Sequence, residues 1–408
     1  MASDRQMKRF QWVLLFGIVV VAISLRPAVA SVSPVLETIR ADLGLSYTAL
    51  SLLTTIPILC MGAFALTVPA ITDRVGRERG VFWGIVLITV ATGIRLGSRH
   101  VLVLFGSTLL VGIGIAVTQS LLPSLVTEYL PGRESFATGV YTASLTVGAA
   151  LAGGVTAPIG DLVGSWPAAL AVWAVLAAIG VPLWYLSWRW AVRRKPASDD
   201  GGDRVRLPWR NRWAIVLTLF FGSSSTMFFV VLAWLAPRYV ALGWGASHAG
   251  MLLSAFVVAQ LGGNLAVSAV GDRLSDQRPL FALMLFSVIG GATGVVIAPQ
   301  FVPWIWAVLL GIGTGGLFTL GLTLPVIYAA GPTATDGLAS MILGGGYFIA
   351  AIGPAAAGVL LDVTGGYTAA FGGLAFLSVV LLAVSMRFEP GRETVTVQVS
   401  ERSGRDRV

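Results

Sequence analysis

The chain has 408 residues, of which 56% are hydrophobic and only 11% are charged, whereas soluble domains are about 25% charged. This composition excludes a water-soluble globular protein and indicates a helical membrane protein with many spans, since about 20 apolar residues cross the hydrocarbon core. The net charge of +8 does not indicate nucleic-acid binding, because the basic residues stand in short tracts between apolar runs. With one cysteine, Cys60, and two histidines, neither a disulfide nor a metal site or other cofactor is expected.

Twelve apolar runs of helical length follow one another along the chain. The first six lie at 10–35, 50–71, 81–96, 101–126, 136–159 and 167–188, and the last six at 213–236, 250–270, 279–298, 303–329, 337–361 and 367–386. If both termini are cytoplasmic, 22 Lys and Arg residues fall on the cytoplasmic side and three on the outer side. This asymmetry predicts twelve transmembrane helices with both ends in the cytoplasm.

The first run also resembles a signal peptide, because a basic stretch at 1–9 precedes it and Ala28-Val29-Ala30 is similar to a cleavage site. Cleavage would leave eleven spans, and the basic segment 189–212 would no longer fit one orientation relative to a translocated start. We therefore expect the first run to remain in the protein as a span.

Arg26 is the first candidate binding residue. Residues 12–25 make only about 21 Å of helix, so the first span has to continue through Arg26. A charged residue at that depth faces protein or a cavity and indicates a functional site, and the nearest carboxylates, Glu37 and Asp42, follow near the outer loop. An unpaired guanidinium suits a small planar anion. The alternative is a structural arginine that binds carbonyl groups freed by Pro27.

Other polar residues interrupt apolar helices. Gln119, Tyr141 and Tyr347 are candidates to contact a substrate, and interhelical hydrogen bonding is the alternative. Arg95 is expected to reach toward the outer interface along its apolar stem, and the alternative is that it guides anions toward the cavity. The hydroxyl groups at 223–226 occupy the position in the seventh run that corresponds to Arg26, and helix packing through small residues is the favoured interpretation.

Segment 189–212 carries eight basic and three acidic residues together with Gly and Pro, which predicts a cytoplasmic linker. It would separate a six-helix bundle at 1–188 from a second bundle at 213–388, followed by a disordered cytoplasmic tail at 389–408. Three motifs recur in register between the halves: Asp73-Arg74 and Asp272-Arg273, Leu122-Pro123 and Leu324-Pro325, Asp161-Leu-Val-Gly164 and Asp362-Val-Thr-Gly365. The repeat predicts two related bundles around an axis along the membrane normal.

The loop after the second run reads Pro69-Ala-Ile-Thr-Asp73-Arg74-Val-Gly76-Arg77-Glu-Arg79. It resembles the Gly-x-x-x-Asp-Arg-x-Gly-Arg-Arg/Lys loop of the major facilitator superfamily, with Pro69 in place of the first glycine. The resemblance implies the major facilitator fold and a conformational latch that includes Asp73, Arg74, Gly76 and Arg77. The alternative is that the arginines only follow the positive-inside rule.

Four further motifs resemble the cyanate and 2-nitroimidazole transporter (CynX/NimT) family: Ser24-Leu25-Arg26-Pro27-Ala28, Leu121-Leu122-Pro123, Trp234-Leu235-Ala236-Pro237, and Gly346-Tyr347 to Gly353-Pro354 followed by Asp362-Val-Thr-Gly365. Gln119 stands where this family is expected to have Asn, and Leu343 stands where it is expected to have Gln. Both positions are expected to face the cavity, so the substrate is expected to differ from cyanate itself.

Together these features predict an all-α membrane protein that moves a small anion, such as a cyanate-like ion or a carboxylate, by alternating access, with Arg26 at the centre of the binding site. The alternatives are an exporter of lipophilic compounds and a membrane sensor without transport. No acidic residue or histidine stands in the middle of a run, so no carboxylate proton relay is predicted. The chain has no phosphate-binding loop and no His-Glu-x-x-His motif, which argues against an enzyme. The resemblance implies a monomer in the cytoplasmic membrane of a bacterium.

Overall fold

The computed structural model describes residues 2–130, 133–192, 207–271, 273–274, 276–388 and 395, without the side chains of 2–10, 66–75, 134–135, 190–192 and 332–333. Within this part of the chain, twelve helices are long and apolar enough to cross a membrane. They are called spans 1 to 12 in chain order. The predicted all-α architecture with twelve spans is therefore confirmed.

The helix bounds agree with the apolar runs to within several residues at most ends. Span 1 consists of three α-helices, Ala2–Leu25, Pro27–Ala30 and Leu36–Leu43, with a short 3-10 helix, Ser33–Val35, before the last of them. Spans 2 to 6 are Tyr47–Val75, Arg77–Ile94, Val101–Tyr129, Glu134–Val163 and the pair Trp166–Ala171 and Trp173–Val192. Spans 7 to 12 are Arg212–Ala241, Ala246–Gly271, Arg278–Ile297, Pro303–Tyr328, Pro332–Thr364 and Thr368–Ser385.

The first six and the last six spans meet along two pairs of helices. Span 2 packs along span 11, and span 5 packs along span 8. These pairs are equivalent under the repeat found in the sequence, because each joins the second span of one half to the fifth span of the other. The division at 1–188, 189–212 and 213–388 stays a prediction, since residues 193–206 of the linker lie outside the described residues.

The tail is described at one residue, Val395, which is buried. Its N–H donates to the carbonyl oxygen of Tyr328 at 2.6 Å, and its own carbonyl accepts from the N–H of Ala330 at 3.0 Å. The expected disorder of the tail is wrong at this residue, because two backbone hydrogen bonds tie it to the end of span 10. The neighbouring positions 389–394 and 396–408 lie outside the described residues.

On the predicted outer side, two aspartates join the halves. The carboxylate of Asp362, near the end of span 11, accepts from the N–H groups of Tyr47 at 2.9 Å and Thr48 at 2.8 Å and from the Thr48 hydroxyl at 2.6 Å. Asp161, near the end of span 5, accepts from the Ser247 hydroxyl at 2.9 Å. Each aspartate thus binds the start of the second span of the opposite half, where a negative charge is favourable.

Further contacts between the halves surround these aspartates. The Ser33 hydroxyl donates to the carbonyl of Ala233 at 2.9 Å. The Tyr367 hydroxyl donates to the Glu37 carboxylate at 2.7 Å. Burial, and then the Glu37 carboxylate, holds the pKa of Tyr367 well above its usual range, so this hydroxyl stays protonated. The predicted outer side of the protein is therefore closed.

Candidate functional site

A cavity of about 630 Å³ lies between the two sets of six spans. It is lined by residues of spans 1, 2, 4 and 5 and of spans 7, 8, 10 and 11. Its wall continues to Thr138, Leu322 and Asp336, near the predicted cytoplasmic ends of spans 5, 10 and 11. With the outer side closed, this arrangement faces the predicted cytoplasmic side.

All four residues that the sequence predicts to contact substrate line this one cavity. Arg26 comes from span 1, Gln119 from span 4, Tyr141 from span 5 and Tyr347 from span 11. The two positions at which the sequence departs from the family pattern, Gln119 and Leu343, also lie in the cavity wall, as expected. Four distant segments of the chain therefore converge on a single site.

Arg26 occupies a break in span 1. The first helix ends at Leu25, and a short helix begins at Pro27. Pro27 has no N–H, so the carbonyl of Ile23 loses its helical partner. That carbonyl packs against Gly148 of span 5, where a Cβ atom would collide with it.

The guanidinium of Arg26 forms no hydrogen bond or ion pair with any described residue. Its Cζ atom lies 6.0 Å from the centre of the Phe228 ring, within the range of a cation–π contact. The alternative in which Arg26 binds the carbonyls freed by Pro27 gains no support, since the Ile23 carbonyl faces Gly148 instead. The Arg26 guanidinium thus lines the cavity with its charge unpaired among the described residues.

Polar groups with unused bonding capacity lie on the same wall. The Gln119 amide donates to the Tyr347 hydroxyl at 3.4 Å, which joins span 4 to span 11 across the cavity. The Gln119 carbonyl oxygen and the Ser225 hydroxyl are buried and have no partner among the described residues. Such groups are costly to leave unpaired, and a bound polar ligand would satisfy them.

Several lining residues were not predicted. Ser224 and Ser225, for which the sequence favours helix packing, also line the cavity. Gln260 and Asn264 of span 8 also line it. Their spacing of four residues, which puts both amides on one helix face, was the available signal.

Asp336 is the carboxylate in the described cavity wall, and it stands one residue before the apolar run predicted at 337–361. The apolar run begins at 337, but the helix begins five residues earlier, at Pro332. Gly331, with a φ of 89°, precedes it. A proline at the first helical position is a known start signal, and it would have placed Asp336 on the span.

Arg95 does not reach the outer interface as expected. It is fully buried, and its Nη1 donates to the carbonyl oxygen of Ala28 at 2.7 Å. The snorkelling prediction is wrong because the buried side chain reaches the short helix of span 1, where the carbonyl of Ala28 offers the guanidinium an acceptor. Arg95 does not line the described cavity.

The predicted latch is described in part. Gly76, with a φ of 81°, joins spans 2 and 3 in a conformation that favours glycine. The Nη1 of Arg77 lies 2.9 Å from the Glu128 carboxylate, near the end of span 4, so this ion pair lies within the first six spans. The side chains of Asp73 and Arg74 lie outside the described residues, and the latch role stays a prediction.

Comparison with known protein families and structures identifies relatives of this chain. The model of the Major Facilitator Superfamily matches residues 12–350. The cyanate transport protein CynX of Escherichia coli (strain K12) is 30% identical, over 93% of this chain and 98% of its own. The 2-nitroimidazole transporter of the same organism is also 30% identical, over 90% of this chain and 93% of its own. Among solved structures, a D-xylose-proton symporter has the same fold, with a TM-score of 0.72 at 13% identity over 94% of this chain and 99% of its own.

Proposed function

The chain belongs to the major facilitator superfamily, and on this premise we propose that it is a secondary active transporter that moves a small anion by alternating access. The central anion-binding residue in this proposal is Arg26. The observation that carries it is the cavity-lining guanidinium without a partner among the described residues. A cation in a membrane span is costly unless it faces a water-filled cavity or pairs with a partner. An anion from the cavity would supply that partner.

The surroundings of Arg26 favour the binding of a small planar anion. A guanidinium offers paired donors that match a carboxylate or a similar ion. Gln119, Tyr141 and Tyr347 supply further polar groups on the same wall. The named relatives transport cyanate and 2-nitroimidazole, both small and planar, which agrees with a substrate of this shape.

The size of the cavity favours an anion larger than cyanate. Its volume of about 630 Å³ lies within the range of about 300 to 1,000 Å³ that is typical of pockets for drug-sized ligands. A triatomic ion would fill little of this space, whereas a carboxylate with an apolar body would also contact Phe228 and Phe229 of the wall. We therefore place small organic carboxylates ahead of cyanate among candidate substrates.

For the setting, we propose the cytoplasmic membrane of a bacterium, with both termini in the cytoplasm and the protein acting as a monomer. The excess of basic residues on one side supports this orientation. In the proposal, the cavity then opens to the cytoplasm.

A second candidate is an exporter of lipophilic compounds. The aromatic side chains of Phe228, Phe229 and Phe318 in the cavity wall favour it, since apolar drugs bind mainly to such surfaces. In that case Arg26 contributes little to binding. The two candidates therefore differ in what the loss of Arg26 does.

The test is the binding of small carboxylates, cyanate and nitroimidazoles to purified protein, first by thermal shift and then by isothermal titration. Hydrogen bonds to a charged group contribute about 1.5 to 3 kcal/mol, so Arg26→Ala is expected to weaken binding of the identified anion at least about tenfold. Arg26→Lys should fall between, because it keeps the charge and loses the two-pronged geometry. Unchanged anion affinity in folded Arg26→Ala, with tight binding of neutral lipophilic ligands, would favour the exporter instead.

A further inference from the structure

Arg95 is a fully buried arginine that does not line the described cavity. It follows the last residue of the span 3 helix, Ile94. Of its three side-chain nitrogens, Nη1 donates to Ala28, while Nε and Nη2 are buried without a partner among the described residues. Burying a charge that is only partly hydrogen-bonded lowers stability. Stability therefore does not explain an arginine at this position.

The acceptor of Arg95 is a carbonyl that its own helix leaves open. In a continuous helix the Ala28 carbonyl would accept from the N–H of Val32. Here the N–H of Val32 donates to Val29 instead, at 3.3 Å, as the short helix Pro27–Ala30 ends. Arg95 supplies the missing donor at 2.7 Å.

This hydrogen bond lies two residues from Arg26, on the far side of the break in span 1. The break removes the helical hydrogen bond between Ile23 and Pro27, so the preceding helix alone does not fix the backbone at Arg26. On the following side, the Arg26 carbonyl accepts from the N–H groups of Val29 and Ala30, at 3.1 and 3.0 Å. The orientation of Arg26 therefore depends on where the short helix is held.

We propose that Arg95 is a positioning residue that fixes the short helix Pro27–Ala30 and so directs the Arg26 side chain into the cavity. The consequence for anion affinity rests on the proposed function; the effect on the orientation of residue 26 does not. Both arginines belong to the first six spans. Their relation is therefore kept when the two halves rock against each other during alternating access.

The first experiment measures orientation without a substrate. In full-length protein carrying Arg26→Cys, a cationic methanethiosulfonate reagent reports how freely residue 26 faces the cavity. The native Cys60 gives little background because it is buried. Adding Arg95→Met should slow labelling several-fold. The control is Arg99→Met, which removes the same charge from an exposed position four residues away and should leave the rate unchanged.

The second experiment is a double-mutant cycle on anion affinity, measured by titration. Arg95→Met should weaken binding roughly tenfold in the parent, as expected for coupled neighbours. In the Arg26→Ala background the same change should alter affinity by less than about twofold. Arg95→Lys keeps a donor near Ala28, so it should retain part of the affinity that Arg95→Met loses. If Arg95→Met does not fold, Arg95→Lys takes its place in the cycle.

The outcomes separate the two proposals. Equal labelling rates with and without Arg95→Met would overturn the positioning role, whatever the substrate is. An equal loss of affinity in both backgrounds would overturn it too, since Arg95 would then act independently of Arg26. If Arg26→Ala leaves anion binding intact while Arg95→Met still slows labelling, the anion site is wrong and the positioning role stands.

Discussion

Arg26 and Asp336 put opposite charges at separate places in one cavity. On span 11, Asp336 precedes Tyr347 by eleven residues, or about 16 Å of helix. Tyr347 bonds Gln119 deep in the cavity, whereas Asp336 stands near the predicted cytoplasmic end. An anion that enters from that end therefore passes a carboxylate before it meets the guanidinium.

We expect Asp336→Asn to favour anion entry. The carboxylate is exposed, so its repulsion is screened and contributes about 1 kcal/mol or less, which corresponds to at most about fivefold in the half-saturating concentration. The gain should shrink as salt increases. Uptake and efflux measured in vesicles at low and high ionic strength test this expectation. A loss of pH-driven accumulation would instead assign Asp336 a part in proton coupling.

At the scale of elements, the break in span 1 packs against a glycine of span 5, Gly148. Gly148 lets the carbonyl of Ile23 approach the span 5 backbone, and a methyl group there would collide with it. Gly139, on the same helix, has open space around it. Substitutions at Gly148 and Gly139 therefore distinguish the effect of close packing from the general effect of glycine on helix stability.

We expect Gly148→Ala to lower both thermal stability and anion affinity, because span 1 has to shift away at the break. Overpacking of this kind costs about 1 to 3 kcal/mol. Gly139→Ala should be neutral or slightly stabilising, since alanine favours the helix. Melting curves and titrations of both variants make the comparison. Equal behaviour of the two would show that the close approach has no bearing on the site.

The sequence predicts the spans and part of the site from the length and apolarity of the runs and from isolated charges within them. Length and apolarity define a span, and a lone charge such as Arg26 is conspicuous in it. The burial of Arg95 was not predictable, because a snorkelling and a buried arginine differ only in what packs around them. The cavity-facing Asn264 was missed although it lies four residues from Gln260, a spacing that puts both amides on one helix face.

At the scale of the whole molecule, the two aspartates on the predicted outer side hold the halves together through equivalent helices. Asp362 accepts three hydrogen bonds from the start of span 2, and Asp161 accepts one from Ser247 at the start of span 8. The contacts are unequal although the positions are equivalent. The Asp362 contact is therefore expected to contribute more to closure.

We expect Asp362→Asn to open the outer side more often, because an amide replaces only part of the carboxylate's acceptors. Loss of such a helix cap costs about 1 kcal/mol, or about fivefold in the balance of conformations. The measurement is labelling of Ala233→Cys by an impermeant thiol reagent added outside. Asp161→Asn should have a smaller effect.

The matched control is Asp42→Asn, which removes the charge from the acceptor of a 2.8 Å hydrogen bond donated by Trp166 inside the first six spans and should not change labelling. Neither Asp362→Asn nor Asp161→Asn should abolish pH-driven accumulation, because neither carboxylate lines the cavity. Faster labelling in Asp42→Asn would mean that the assay reports general loosening rather than opening.

The closed outer side also determines how a measured affinity is to be read. An anion supplied from that side binds only the fraction of molecules that is open there, so its apparent dissociation constant is the intrinsic value divided by that fraction. From the opposite side most molecules are ready to bind. The same site is thus expected to saturate at lower concentration in efflux than in uptake, and the ratio of the two concentrations measures how strongly the resting protein favours one side.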